Sequence, residues 1–142
     1  MARTKLNLPP RFHFSTVIAV RIDDINYGGH LGNDAVLSLI HEARVRFLKK
    51  HGYSELNIDG AAIIMVDAVI QYRSEGFHGD QLLAEVAVTD FQNTGCDFYY
   101  RLTNNETGKE IARVKTGIAF FDYEKKKTIS VPQQFKSKFQ GI

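Results

Sequence analysis

A chain of 142 residues, 44% hydrophobic and 24% charged, carries enough apolar material for one filled core and lacks the bias of a disordered or fibrous chain. The formal charge of +2, with basic residues scattered apart from Lys125-Lys126-Lys127, argues against a nucleic-acid surface, and the lysine run reads as a solvated turn. Cys96 is the single cysteine, which excludes an internal disulfide and a cysteine-rich zinc site; no apolar segment approaches the roughly 20 residues of a membrane span, and the first residues lack a signal peptide's apolar stretch, so a reducing cytoplasm is the expected location.

Residues 1–11 are polar with a Pro9-Pro10 pair and read as an N-terminal tail, leaving 12–142 as one domain. From Phe12 the even positions run Phe12, Phe14, Thr16, Ile18, Val20 and Ile22, the period of a strand with one buried face. Next comes Asp24-Ile25-Asn26-Tyr27-Gly28-Gly29-His30-Leu31-Gly32-Asn33-Asp34, a turn rich in acids, amides and glycine. Asn33 is the expected N-cap and Asp34 a favourable first-turn acid; Val36, Leu39, Ile40, Ala43 and Phe47 form an apolar stripe, and Lys49, Lys50, His51 and Gly52 suit a C-terminus. A helix is predicted over 33–51.

Residues 61–72 predict a strand with Ile64, Val66, Ala68, Ile70 and Tyr72 on one face and Met65, Asp67, Val69 and Gln71 on the other. Strands over 81–91, 94–102 and 110–121 follow, the last two joined by a hairpin at Asn104-Asn105-Glu106-Thr107-Gly108. A short helix after Pro132 is compatible with the remaining pattern. Four successive strands joined by hairpins pair antiparallel, and a lone amphipathic helix needs a sheet to cover its stripe. The expected fold class is therefore α+β, with one sheet curled around one long helix.

The turn before that helix is where function is expected. It ends at a helix N-terminus, whose free N–H groups and positive dipole end favour developing negative charge. Other chemistries find less support. There is no G-x-S-x-G elbow, P-loop or G-x-G-x-x-G; His41 and His51 lack a metal-binding partner at suitable spacing; and Tyr99-Tyr100 beside Arg101 lacks the basic surface of a nucleic-acid platform.

Residues 24–33 resemble the D-x-D-x-x-G-H-V-N-N turn of the 4-hydroxybenzoyl-CoA thioesterase type of hotdog-fold acyl-CoA thioesterase. The resemblance continues through Glu42-Ala43-Arg44, Tyr72, Gly79-Asp80 and Phe121-Asp122, covering about residue 14 to Pro132. It implies an antiparallel hotdog sheet around a central helix, a homodimer or a tetramer of dimers with active sites at the subunit interface, and hydrolysis of an acyl-CoA substrate without metal or bound cofactor. It also implies a carboxylate at the second Asp of the turn as base or nucleophile, and a backbone N–H at the helix start that polarises the thioester carbonyl.

Here that second Asp is Asn26, and an amide takes up no proton at neutral pH. Gly32 likewise replaces the first of the two family Asn residues. Asn26 then orients water or holds the carbonyl while an acid elsewhere, Asp24, Asp34, Glu42 or Asp67, removes the proton; alternatively His30 is the base, a task that suits histidine as a residue type near neutral pH. Gly29 and Asn33 are the backbone candidates for the oxyanion, and Tyr27, Arg73, Val36 and Ile40 the candidates for substrate contact, with Arg113 and Lys115 as further cations for phosphate. Each acid also has a structural use: Asp24 bonding within its own turn, Asp34 stabilising the dipole, Glu42 pairing with Arg46, and Asp67 buried or at an interface with a partner. His30 could equally be a turn histidine bonded to backbone, and the glycines could serve only unusual backbone angles. Thioester hydrolysis is the leading expectation; an acyl-CoA-binding hotdog protein that does not hydrolyse its ligand is the alternative, motivated by the amide at position 26. A hydratase is a weaker third reading, since no paired His and acid demands it.

Overall fold

The computed structural model describes residues 4–141, so the first three residues of the expected tail lie outside the described residues. Residues 4–11 form no helix or strand, although Arg113 Nη1 donates to the Leu6 carbonyl at 3.1 Å and ties them to the body. The elements are β1 (Phe14–Ala19), a 3-10 turn (Ile22–Asp24), α1 (Asn33–Lys50), β2 (Ala62–Tyr72), β3 (Gln81–Thr89), β4 (Gly95–Asn104), β5 (Glu110–Asp122), β6 (Lys127–Thr128) and α2 (Gln133–Phe139). All strand pairings are antiparallel, in the order β1-β3-β4-β5-β2, with β6 on β5.

The apolar stripe of α1 is buried as its spacing requires: Val36, Leu39, Ile40, Ala43 and Phe47 all lie in the core. They meet the inward positions of β4 (Cys96, Phe98, Tyr100, Leu102) and β5 (Ala112, Val114, Ile118, Phe120) in one cluster. The short α2 adds Phe135 and Phe139, whose rings pack 5.0 Å apart and reach Phe120 and Phe47. The tail end of the chain therefore completes the core rather than trailing from it.

Three expectations need correction. Gly32, not Asn33, is the N-cap of α1, because its extended backbone (φ −69°, ψ 145°) leads into the helix while its N–H is held by the Asp24 carbonyl; no side chain caps this end. At the other end His51 is the C-cap, and Gly52 takes the left-handed conformation there. The second correction concerns strand order: β2 and β3 do not form a hairpin. β2 pairs with β5 at the far edge, so residues 73–80 cross the end of the sheet past β4 and β5. The third concerns the faces of β2. A bulge at Val66, where Met65 opposes Ile118 and Asp67 opposes Gly117, inserts one residue and reverses the alternation. Ala68, Ile70 and Tyr72, opposite the inward Thr116, Val114 and Ala112, consequently share the helix-facing side with Met65 and not with Val66.

One polar network crosses the core. Arg44 on α1 is buried; its Nε donates to Glu55 at 3.0 Å and its Nη1 to the Tyr100 hydroxyl at 3.0 Å, which in turn lies 2.8 Å from Thr116 Oγ1. His41 Nε2 meets the other Glu55 oxygen at 2.7 Å. Partial burial raises the Glu55 carboxyl pKa, but the hydrogen bonds and positive charge of His41 and Arg44 outweigh it and hold the group below its ordinary value.

Around Phe139 the fold shelters two histidines, His13 and His51, whose rings stand 5.2 and 5.1 Å from it. Burial lowers the pKa of both, and Lys138 and Lys50 lower His51 further. The unfolded chain, with histidines near the ordinary 6.5, therefore binds protons more readily than the folded one. Their contribution is complete above pH 6.5 and is lost as pH falls through the lowered folded values. The melting temperature should fall between pH 7.5 and 5.5, and His51→Gln should reduce that fall; an unchanged pH dependence would contradict this account.

Candidate functional site

The turn from Asn26 to the start of α1 is built by its own backbone. Asn26 N–H donates to the His30 carbonyl at 2.8 Å and Gly29 N–H to the Asn26 carbonyl at 3.1 Å, with Gly29 at φ +83°. The Asn26 side chain closes the loop, its Oδ1 accepting from Gly28 N–H at 2.9 Å and His30 N–H at 3.2 Å. Position 26 is thus structural at its oxygen, and its Nδ2 donors carry no protein partner among the described residues. Leu31 N–H then donates to the Gly76 carbonyl at 2.7 Å, stitching the turn to the 73–80 crossing.

Between these segments lies a cavity of about 380 Å³, lined by Asn26, His30, Leu31, Asn33, Val36, Tyr72, Arg73, Ser74, Glu75, Gly76 and Ile111. Four of its groups carry chemistry. The Asn33 N–H precedes the first helical hydrogen bond, donated by Ala35 to the Gly32 carbonyl at 3.1 Å, and has no partner among the described residues. The Tyr72 hydroxyl donates to the Asn33 carbonyl at 3.2 Å and fixes that first turn against β2. His30 leans on the Phe77 ring at 5.2 Å and sets Nδ1 3.3 Å from Glu75 Oε2. Arg73 supplies a cation at the rim, 3.9 Å from Glu110.

Along the same side of α1, a second cavity of about 180 Å³ is lined by Leu37, Ser38, Ile40, His41, Arg44 and Met65. Together the two cavities mark a groove between α1 and the edge strand β2.

The structure gathers Asn26, His30, Asn33, Val36 and Arg73 from the sequence candidates and separates the rest. Gly29 is not an available oxyanion donor, since its N–H is spent inside the turn. Asp24 is buried and accepts from Arg21 N–H at 2.8 Å, the bond that closes the 3-10 turn. Asp34 folds back over Gly32, where an added Cβ would meet its Oδ1 at 2.6 Å, and it does not line the cavity. Glu42 pairs with Arg46 at 2.7 Å beside a different groove. Asp67 is neither buried nor near the cleft: it lies exposed on the outer face of the sheet, accepting from Lys115 Nζ at 3.0 Å and Gly117 N–H at 2.9 Å, bonds that lower its carboxyl pKa. Tyr27 is fully exposed at the turn's tip, and Ile40 lines the second cavity rather than the first. Glu75 and Ser74 went unread, because only the strand crossing brings residues 73–76 to the helix start.

A curled antiparallel sheet around one helix, with a polar cleft at that helix's N-terminus, is a hotdog domain. The chain belongs to the thioesterase-like superfamily, which its sequence matches over residues 20–139. Its fold superposes on a 1,4-dihydroxy-2-naphthoyl-CoA thioesterase from Synechocystis with a TM-score of 0.81, at 22% identity over 91% of this chain and 96% of that one. A thioesterase superfamily protein from Jannaschia gives 0.82 at 15% identity, covering 94% and 84%, and a probable thioesterase from Escherichia coli gives 0.72 at 18%, covering 89% and 96%. None of the curated proteins matches the chain. Among the described residues, no helix is long and apolar enough to cross a membrane, and no three His, Cys, Asp or Glu side chains are grouped to hold a metal ion.

Proposed function

We propose that this chain hydrolyses an acyl-CoA thioester to a free acid and coenzyme A in the cleft at the start of α1. The observation that carries this reading is the Asn33 N–H at the open start of α1, in a cleft that also holds one imidazole and one cation. A thioester carbonyl seated there has its oxygen at the helix N-terminus, where the dipole and the Asn33 N–H stabilise an oxyanion. Asn26 Nδ2 helps to orient a water. His30 accepts its proton as the oxygen attacks the carbonyl carbon, the tetrahedral adduct collapses with cleavage of the C–S bond, and the departing thiolate takes the proton back from the imidazolium. Arg73 meets the phosphates of coenzyme A, and the groove past Val36 toward Ile40 takes the acyl group.

The cleft is completed in this reading by a second copy of the chain. β2 is an 11-residue strand at the sheet's edge, and it exposes Met65 and Tyr72 on the groove side and Val66 on the outer side. An open apolar edge of that length invites pairing with another strand. Replacing Met65 and Val66 together by Asp should convert a dimer or tetramer to monomers in light scattering; unchanged mass would reject this interface.

A thiol-release assay over aliphatic and aromatic acyl-CoAs tests the activity. Absence of turnover with every substrate removes the hydrolase reading. If calorimetry then finds acyl-CoA bound and recovered intact, the protein is a non-hydrolysing binder, a reading favoured by the commitment of Asn26 Oδ1 to its own turn.

A further inference from the structure

We infer that Glu75 is the positioning residue for His30, supplying a negative charge beside its ring from the β2–β3 crossing. This rests on the thioesterase reading of the cleft. The His30 ring is held from three sides: its own backbone N–H is bound by Asn26, one ring face leans on Phe77, and Nδ1 is sealed from solvent. Glu75 Oε2 lies 3.3 Å from Nδ1, within ion-pair range but off the line of a hydrogen bond, so a small rotation of either side chain closes the contact. A carboxylate at that nitrogen favours the tautomer protonated on Nδ1 and leaves the Nε2 lone pair for the cleft. It also opposes the charge that forms once Nε2 takes a proton.

The surrounding charges do not duplicate this role. On the same crossing Arg73 is directed toward Glu110 of β5, which also pairs with Arg113. From the turn, Asp24 is buried against Arg21, and from α1 Asp34 folds onto Gly32. Among the described residues, Glu75 is the carboxylate within ion-pair distance of the imidazole. Both side chains are partly exposed, so the effect is screened and moderate.

Imidazole NMR of the whole protein, read alongside steady-state kinetics, tests the assignment. In Glu75→Gln the ring nitrogen shifts of His30 should report less of the tautomer protonated on Nδ1. In that variant kcat at neutral pH should fall about tenfold at unchanged KM, and Glu75→Asp should restore part of the loss. A merely structural glutamate would alter melting and KM without moving the His30 tautomer balance. An unmoved tautomer balance in Glu75→Gln, or an unchanged kcat, overturns the assignment. If the balance moves but wild-type protein hydrolyses no acyl-CoA, the pairing stands and the thioesterase reading falls.

Discussion

His30→Gln should lower kcat for acyl-CoA hydrolysis by about 10²- to 10⁴-fold, the range spanned by loss of a positioned general base. The size follows from the company His30 keeps. Every carboxylate that the sequence offered as an alternative base is engaged elsewhere or lies outside the cavity: Asp24 in its turn, Asp34 over Gly32, Glu42 on Arg46 and Asp67 on the outer face. Asn26 cannot take the proton, and Glu75 acts on the ring. KM should stay within a few-fold, because Arg73 and the apolar groove remain. Melting should hardly change, since the His30 ring makes no in-line hydrogen bond to protein among the described residues. Glu42→Gln is the matching control and should retain full turnover. Wild-type kcat in His30→Gln, or its loss in Glu42→Gln, would reassign the base.

Arg44→Ala should destabilise the fold by about 3–5 kcal/mol, the usual cost of removing one partner from a buried ionic network. The guanidinium satisfies one Glu55 oxygen and the Tyr100 hydroxyl, and Tyr100 is fully buried beneath α1. Truncation leaves that carboxylate and phenol to share His41 and Thr116, and opens a void beneath the helix. For a domain of this size the melting temperature should drop by about 10 °C or more. Arg44→Met combined with Glu55→Gln should recover much of the loss, because it removes both charges and refills the volume. A double variant as unstable as Arg44→Ala would mean that packing, rather than the stranded carboxylate, sets the cost.

Much of this architecture was legible because the period of hydrophobic residues changes cleanly from two to 3.6 and back. The α1 stripe and the inward faces of β4 and β5 are the same residues in sequence and structure. The position of the site was legible too, since glycine, asparagine and histidine crowd immediately before a helix. Its composition was less so. Strand order leaves no mark on periodicity, so nothing in residues 73–76 announced that they cross from the far edge and face His30. The Val66 bulge was hidden for a related reason: Ile63 to Val66 before Asp67 and Ala68 to Ile70 after it form unbroken apolar runs, in which an inserted residue does not disturb the pattern. The acids were over-read because a carboxylate near a turn looks alike whether it holds that turn or works beside it.

The crossing has a consequence for how such a protein diversifies. Its residues 73–75 wall the cavity from outside the hydrophobic cluster, and the bond that ties the crossing to Leu31 is made by the backbone of Gly76, one residue beyond them. Substitutions there can retune what enters the cleft without disturbing Phe47, Phe98 or Phe120. Selectivity and foldability are thereby inherited from different stretches of chain, free to drift at different speeds.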